Sequence, residues 1–142
     1  MFRRFSANFA VFSMFLDYVL VGVSLGMAVE LRPLLNTLPL VKPILTRVDL
    51  PWFLYLVFPL LWVSILIVFS IYDGRKNLRA IDEFGSLILG SGLATISMAG
   101  VLYLTYRDIS RALFFSFVII GLILMTLWRV LHRGAMRVKR FN

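Results

Sequence analysis

The chain has 142 residues, 61% of them hydrophobic and only 15% charged, with a mean hydropathy of +0.91 and a formal net charge of +8. A water-soluble domain carries roughly 45–50% apolar and about 25% charged residues, and so short a chain cannot bury the excess in one core. A soluble globular fold and a disordered chain are therefore excluded, and the lack of cysteine with a single histidine excludes a disulfide framework, a histidine-rich metal site and a thiol nucleophile.

The apolar residues fall into four runs, which predict an all-α integral membrane protein with four transmembrane helices at about 6–29, 52–71, 84–106 and 112–131. Each run approaches or exceeds the ~20 residues that cross a ~30 Å hydrocarbon layer. None alternates as a barrel strand would. The first run is too long for a signal-peptide core and is interrupted by Asp17, so it reads as an uncleaved helix. Asp17 lies on the order of 13 Å from a helix start at Asn8. An acidic residue in a span is a functional candidate by default. Here it reads as an anchor between helices, accepting a hydrogen bond from Tyr18, Ser13 or a group on another helix. Gly22 and Gly26 form a small-xxx-small pair that lets a neighbouring helix approach closely.

An outer loop over 30–51 follows, broken by Pro33, Pro39, Pro43 and Pro51. Pro59 should kink the second helix. The next connection holds Arg75, Lys76 and Arg79, then Asp82 and Glu83 where the third helix begins. That acidic pair complements the positive helix N-terminus within reach of the three cations. Gly90 and Ala94 extend a second packing stripe from Ser86. Ser110 is a fitting N-cap for the fourth helix, and Arg111 an anchor at the headgroups. Arg129 is expected to snorkel outward and lengthen the last span. Residues 132–142 form a basic tail suited to anionic lipid.

Ten basic residues fall on the side of the two termini and five on the other, which places both termini in the cytoplasm. Those residues cluster at helix ends, with no aromatic-lined groove, so a nucleic-acid partner is excluded. The seven carboxylates do not converge in the pattern. No catalytic, cofactor-binding or metal-ligating residue is assigned.

The segments IYDGRKNLRAIDE, LYLTYRDISRALFFSF and WRVLHR together resemble the N-terminal membrane region of bacterial polyprenyl-phosphate sugar-1-phosphate transferases. The resemblance covers nearly all of this chain but only the first part of a full-length family member. It is carried by Tyr72, the cluster Arg75–Arg79, Glu83 and the pair Ser110-Arg111, which are motifs of topology and not of chemistry. It implies a four-helix anchor in the bacterial cytoplasmic membrane, ahead of a soluble Rossmann-like domain and a catalytic module. It further implies a role in exopolysaccharide and cell-surface glycan biosynthesis, with polyprenyl phosphate as a partner. Mg²⁺ is implied only for the catalytic module, whose acidic motif has no counterpart here, so this chain itself carries no cofactor. Membrane-bound nucleotide-sugar dehydratases have a similar helical region, with a proline-type segment expected where this chain has Ile109-Ser110-Arg111. A reading from another class is a small non-enzymatic membrane subunit, self-associated or packed in a larger complex through its small-residue faces.

Overall fold

The computed structural model describes residues 7–37, 39, 49–73, 80–106 and 109–141. Arg75 and Arg79 therefore lie outside the described residues. The chain forms α1 (Ala7–Leu31), α2 (Leu54–Val68), α3 (Ala80–Thr105) and α4 (Arg111–Phe141), with one 3-10 turn, Leu34–Thr37, after α1. Among the described residues there is no strand. Three segments, Asn8–Leu31, Ile81–Thr105 and Arg111–Ala135, are long and apolar enough to cross a membrane. The 15 residues of α2 rise only about 22 Å. Residues 132–141, expected as a tail, continue α4 without a break.

The length of α2 is set by how its ends close. At its start, Leu54 and Tyr55 donate their N–H groups to the carbonyls of Pro51 and Trp52, a tight entry turn. At its end, the Ile71 N–H reaches the Leu66 carbonyl at 3.3 Å and the Ser70 N–H reaches Ile67 at 2.8 Å. This pair of bonds is the Schellman closure, which needs a left-handed residue one place beyond the C-cap. Ser70 occupies that place with φ 55°, a conformation that suits glycine and costs other residues on the order of 1 kcal/mol. The closure turns the chain sharply, so that Ile71 and Tyr72 are both buried instead of extending the helix.

α1 packs against α2 and α4, and α2 against α3, while α3 meets α4 only lightly. The helices thus form a ring whose α3/α4 side is the least closed. Each contributes an inward stripe at three- and four-residue spacing: Val21, Leu25 and Ala28; Phe58, Trp62 and Leu66; Leu87, Ala94 and Met98; Leu113, Phe117 and Met125. The outward positions are apolar as well, including Leu60, Ile96, Leu104 and Ile123. In the core, Trp62 meets Phe117 edge-on, with centroids 5.5 Å apart at 81°, the arrangement favoured by the ring quadrupoles.

Small residues mark the closest approaches. A Cβ at Gly22 would stand 3.7 Å from Pro59 Cγ and one at Gly26 4.0 Å from the Tyr55 ring, so both glycines serve the α1/α2 contact. A Cβ at Gly90 would stand 3.0 Å from Leu66 Cδ2 and 3.4 Å from Ile71 Cδ1. Gly90 is therefore where α3 admits the closed end of α2. Ala94 is fully buried one turn further on. Gly121 plays the same part between α4 and α1, with Ser24 Oγ at 3.2 Å from a Cβ there.

Candidate functional site

The inward stripe of α1 runs Ser13, Asp17, Val21, and that of α4 runs Phe117, Gly121, Met125, Arg129. All of these are buried. Helical register therefore carries a carboxylate and a guanidinium into the same interior, ten residues or about 15 Å from the start of α1 in the case of Asp17. They meet there. Arg129 Nη2 donates to Asp17 Oδ2 at 2.6 Å and Nη1 to Oδ1 at 3.0 Å. This is a two-pronged pair in which the planar guanidinium matches the carboxylate. Asp17 is 0% and Arg129 3% exposed.

Two further donors complete Asp17. The Tyr72 hydroxyl, swung inward by the turn after α2, donates to Oδ2 at 2.7 Å. The Trp128 indole N–H donates to Oδ1 at 3.1 Å. Tyr72 is itself buried, so its hydroxyl is committed to this bond.

The network extends toward the bundle surface through α3. Arg129 Nε lies 3.3 Å from Glu83 Oε1. Arg133, one turn along α4, donates from Nε to Glu83 Oε2 at 2.8 Å and from Nη2 to the same oxygen. Two carboxylates and two guanidinium groups thus balance in charge, and every element of the ring contributes: α1 Asp17, the end of α2 Tyr72, the first turn of α3 Glu83, and α4 Trp128, Arg129 and Arg133. Phe9 and His132 stack at 4.8 Å and Trp128 and His132 at 5.6 Å beside it.

Three sequence expectations change here. Arg129 does not snorkel; a full countercharge inside the bundle outweighs exit to the surface, since an unpaired buried carboxylate is costly. Glu83 does more than complement its helix end, and pairs with α4. The carboxylates do converge, with Arg129 as the hub between Asp17 and Glu83. Of the donors foreseen for Asp17, neither α1 neighbour serves. The Tyr18 hydroxyl donates instead to the Leu56 carbonyl at 3.4 Å, and Ser13 Oγ has no partner among the described residues. The sequence pattern does not single out Trp128, Arg129 and Arg133 as members of a polar site. The signal was present, because 117, 121, 125, 129 and 133 form one four-residue row on α4, but it had no visible counterpart to pair with.

A smaller polar site ties the opposite end of the ring. Arg32, 2% exposed, donates from Nε to Ser110 Oγ at 2.9 Å and from Nη1 to Asn36 Oδ1 at 2.8 Å. Ser110 immediately precedes α4, and its hydroxyl oxygen serves as an acceptor for the end of α1. Arg111 is exposed, as is Asp82 beside Glu83.

Chemically, the Asp17 centre of the network is closed. Its acceptors are filled by its own donors, and among the described residues no group of three or more His, Cys, Asp or Glu side chains could hold a metal ion. It can fix the order and register of four helices in a medium that offers no competing water. The fold and network together define a helical bundle of membrane-crossing character locked by an internal salt bridge. Comparison with protein-family models, with characterised proteins and with solved structures returned no match.

Proposed function

We propose that this chain is the membrane-anchoring domain of a polyprenyl-phosphate sugar-1-phosphate transferase in the bacterial cytoplasmic membrane. It crosses four times, with both termini in the cytoplasm, and holds at the membrane surface a catalytic module that supplies the Mg²⁺-dependent chemistry on polyprenyl phosphate. The observation that carries this reading is the meeting of separate motif segments. Glu83 of IYDGRKNLRAIDE lies 3.3 Å from Arg129 of WRVLHR, and Tyr72 of the same segment donates to the Asp17 carboxylate that Arg129 holds, so two residues quoted for the resemblance belong to the network that locks the bundle. The entry turn at 51–53 adds length to α2 at its start, which supports a fourth crossing.

Reading the coding sequence beyond codon 142 tests the assignment: a sugar-phosphate transferase module in frame, or encoded next to it, is expected. An in-frame stop with no such module nearby would overturn it. Topology is checked separately by single cysteines in a chain that has none. A cysteine at Asn77 should resist an impermeant reagent added from outside, and one at Thr37 should react.

One observation favours a second reading, that of a non-enzymatic subunit of a larger membrane complex. Gly85, Gly92 and Gly100 on α3 have nothing within 4 Å of a Cβ position, so packing within this chain does not account for them. Mass measurement after gentle detergent extraction separates the readings, since a subunit travels with its partners.

A further inference from the structure

Arg133 is set apart from the rest of the network by its position. Arg129 is 3% exposed and has its fork filled by Asp17, whereas the Arg133 side chain is 28% exposed and its carboxylate partner, Glu83, 17%. Both ends of that outer pair stand at the margin of an apolar span: Glu83 near the start of Ile81–Thr105, and Arg133 near the end of Arg111–Ala135. That margin is where lipid headgroups lie, and the rings of Trp128 and His132 beside it are of the kind that settles at headgroup level. Glu83 also belongs to the least packed seam of the ring, between α3 and α4. It is held to α4 largely by these charges.

A guanidinium whose Nε and Nη2 both point at one oxygen presents the edge that takes a phosphate as readily as a carboxylate. We propose that Arg133 is a binding site for a phosphate group, that of a membrane-lipid headgroup or of free phosphate, with Glu83 as the internal ligand that competes for it. Arg129 remains on Asp17 when the exchange occurs, so the inner lock holds while the outer pair opens. The inference rests on the membrane reading and is independent of the transferase assignment.

The test uses the full chain in lipid nanodiscs, whose formation reports the membrane reading by itself. Retention of short-chain phosphatidic acid is compared with that of short-chain phosphatidylcholine by native mass spectrometry, with inorganic phosphate as a competitor. Glu83→Gln should raise phosphatidic acid retention about two- to fivefold, the scale set by losing a partly exposed competing ion pair. Arg133→Gln, which leaves the Asp17–Arg129 pair whole, should abolish the preference for the phosphomonoester lipid. Competition by millimolar inorganic phosphate would assign the site to free phosphate, and indifference to it would assign the site to the headgroup. Equal retention by wild type and Arg133→Gln would overturn the proposal. That comparison stands even if Glu83→Gln fails to fold.

Discussion

Replacing Asp17 by asparagine changes one oxygen to NH₂ and removes one charge, yet it should destabilise this bundle severely. Asp17 receives four donors: two from Arg129, one from Tyr72 and one from Trp128. An asparagine keeps one acceptor oxygen and turns two donors of its own toward groups that are already donors. At about 4 Å between charge centres and an effective dielectric near 20, the lost attraction is about 4 kcal/mol. Of its charged partners Arg129 would keep only Glu83, at 3.3 Å, beside its 3.2 Å bond to the Met125 carbonyl. Leaving one member of a buried pair alone typically costs about 3–5 kcal/mol, and that is the expected loss for Asp17→Asn. Arg129→Met should cost a similar amount. The double variant Asp17→Leu/Arg129→Met should cost clearly less than the two single changes added together, because it removes both charges at once. It will not reach wild-type stability while Tyr72 and Trp128 lack their acceptor. Equilibrium unfolding in detergent micelles, arranged as a double-mutant cycle, measures this coupling. Asp17→Asn within 1 kcal/mol of wild type, or strictly additive single changes, would refute the reasoning.

Further outcomes follow from individual residues. Ser70→Gly should stabilise the chain by about 1 kcal/mol in the same unfolding assay, since glycine adopts the positive φ of the α2 closure without strain. Ser91→Ala should be neutral to stabilising by about 1 kcal/mol, because the Ser91 hydroxyl is buried without a hydrogen-bond partner among the described residues and alanine removes its desolvation cost. Tyr72→Phe should cost about 1.5–3 kcal/mol near neutral pH, the range for a hydrogen bond to a charged group. A cost below about 0.5 kcal/mol in the same assay would contradict the buried-donor geometry.

Much of the helical framework is legible in the residues alone. Runs such as those around Val21, Leu93 and Ile119 are too apolar for water at any register, so composition and length by themselves call for helices of membrane-crossing size. Gly22, Gly26 and Gly90 could be named as packing positions because a missing side chain in lipid is an invitation to a neighbouring backbone. What could not be read was which partner each would meet. Gly90 receives the end of α2 only because a serine accepts a left-handed conformation at position 70, a local closure that a run of apolar residues does not announce. Asp17 stood out in sequence as a charge in an apolar run, while Arg129, 112 positions away, looked like one basic residue among several at a helix end. Their register rows were both present, but pairing depends on the rotation of α1 against α4, which the Gly121–Ser24 contact and the rest of the interface set together. Glu83 illustrates the same division. Its place at the start of α3 follows from sequence, since a carboxylate there meets the helix dipole. Its pairing with Arg129 and Arg133 on α4 was decided only by the ring closing. Hydrophobic pattern is a one-dimensional property and specifies which segments enter lipid; an ion pair between distant helices is a property of their relative rotation and height, which exist only once the helices have packed.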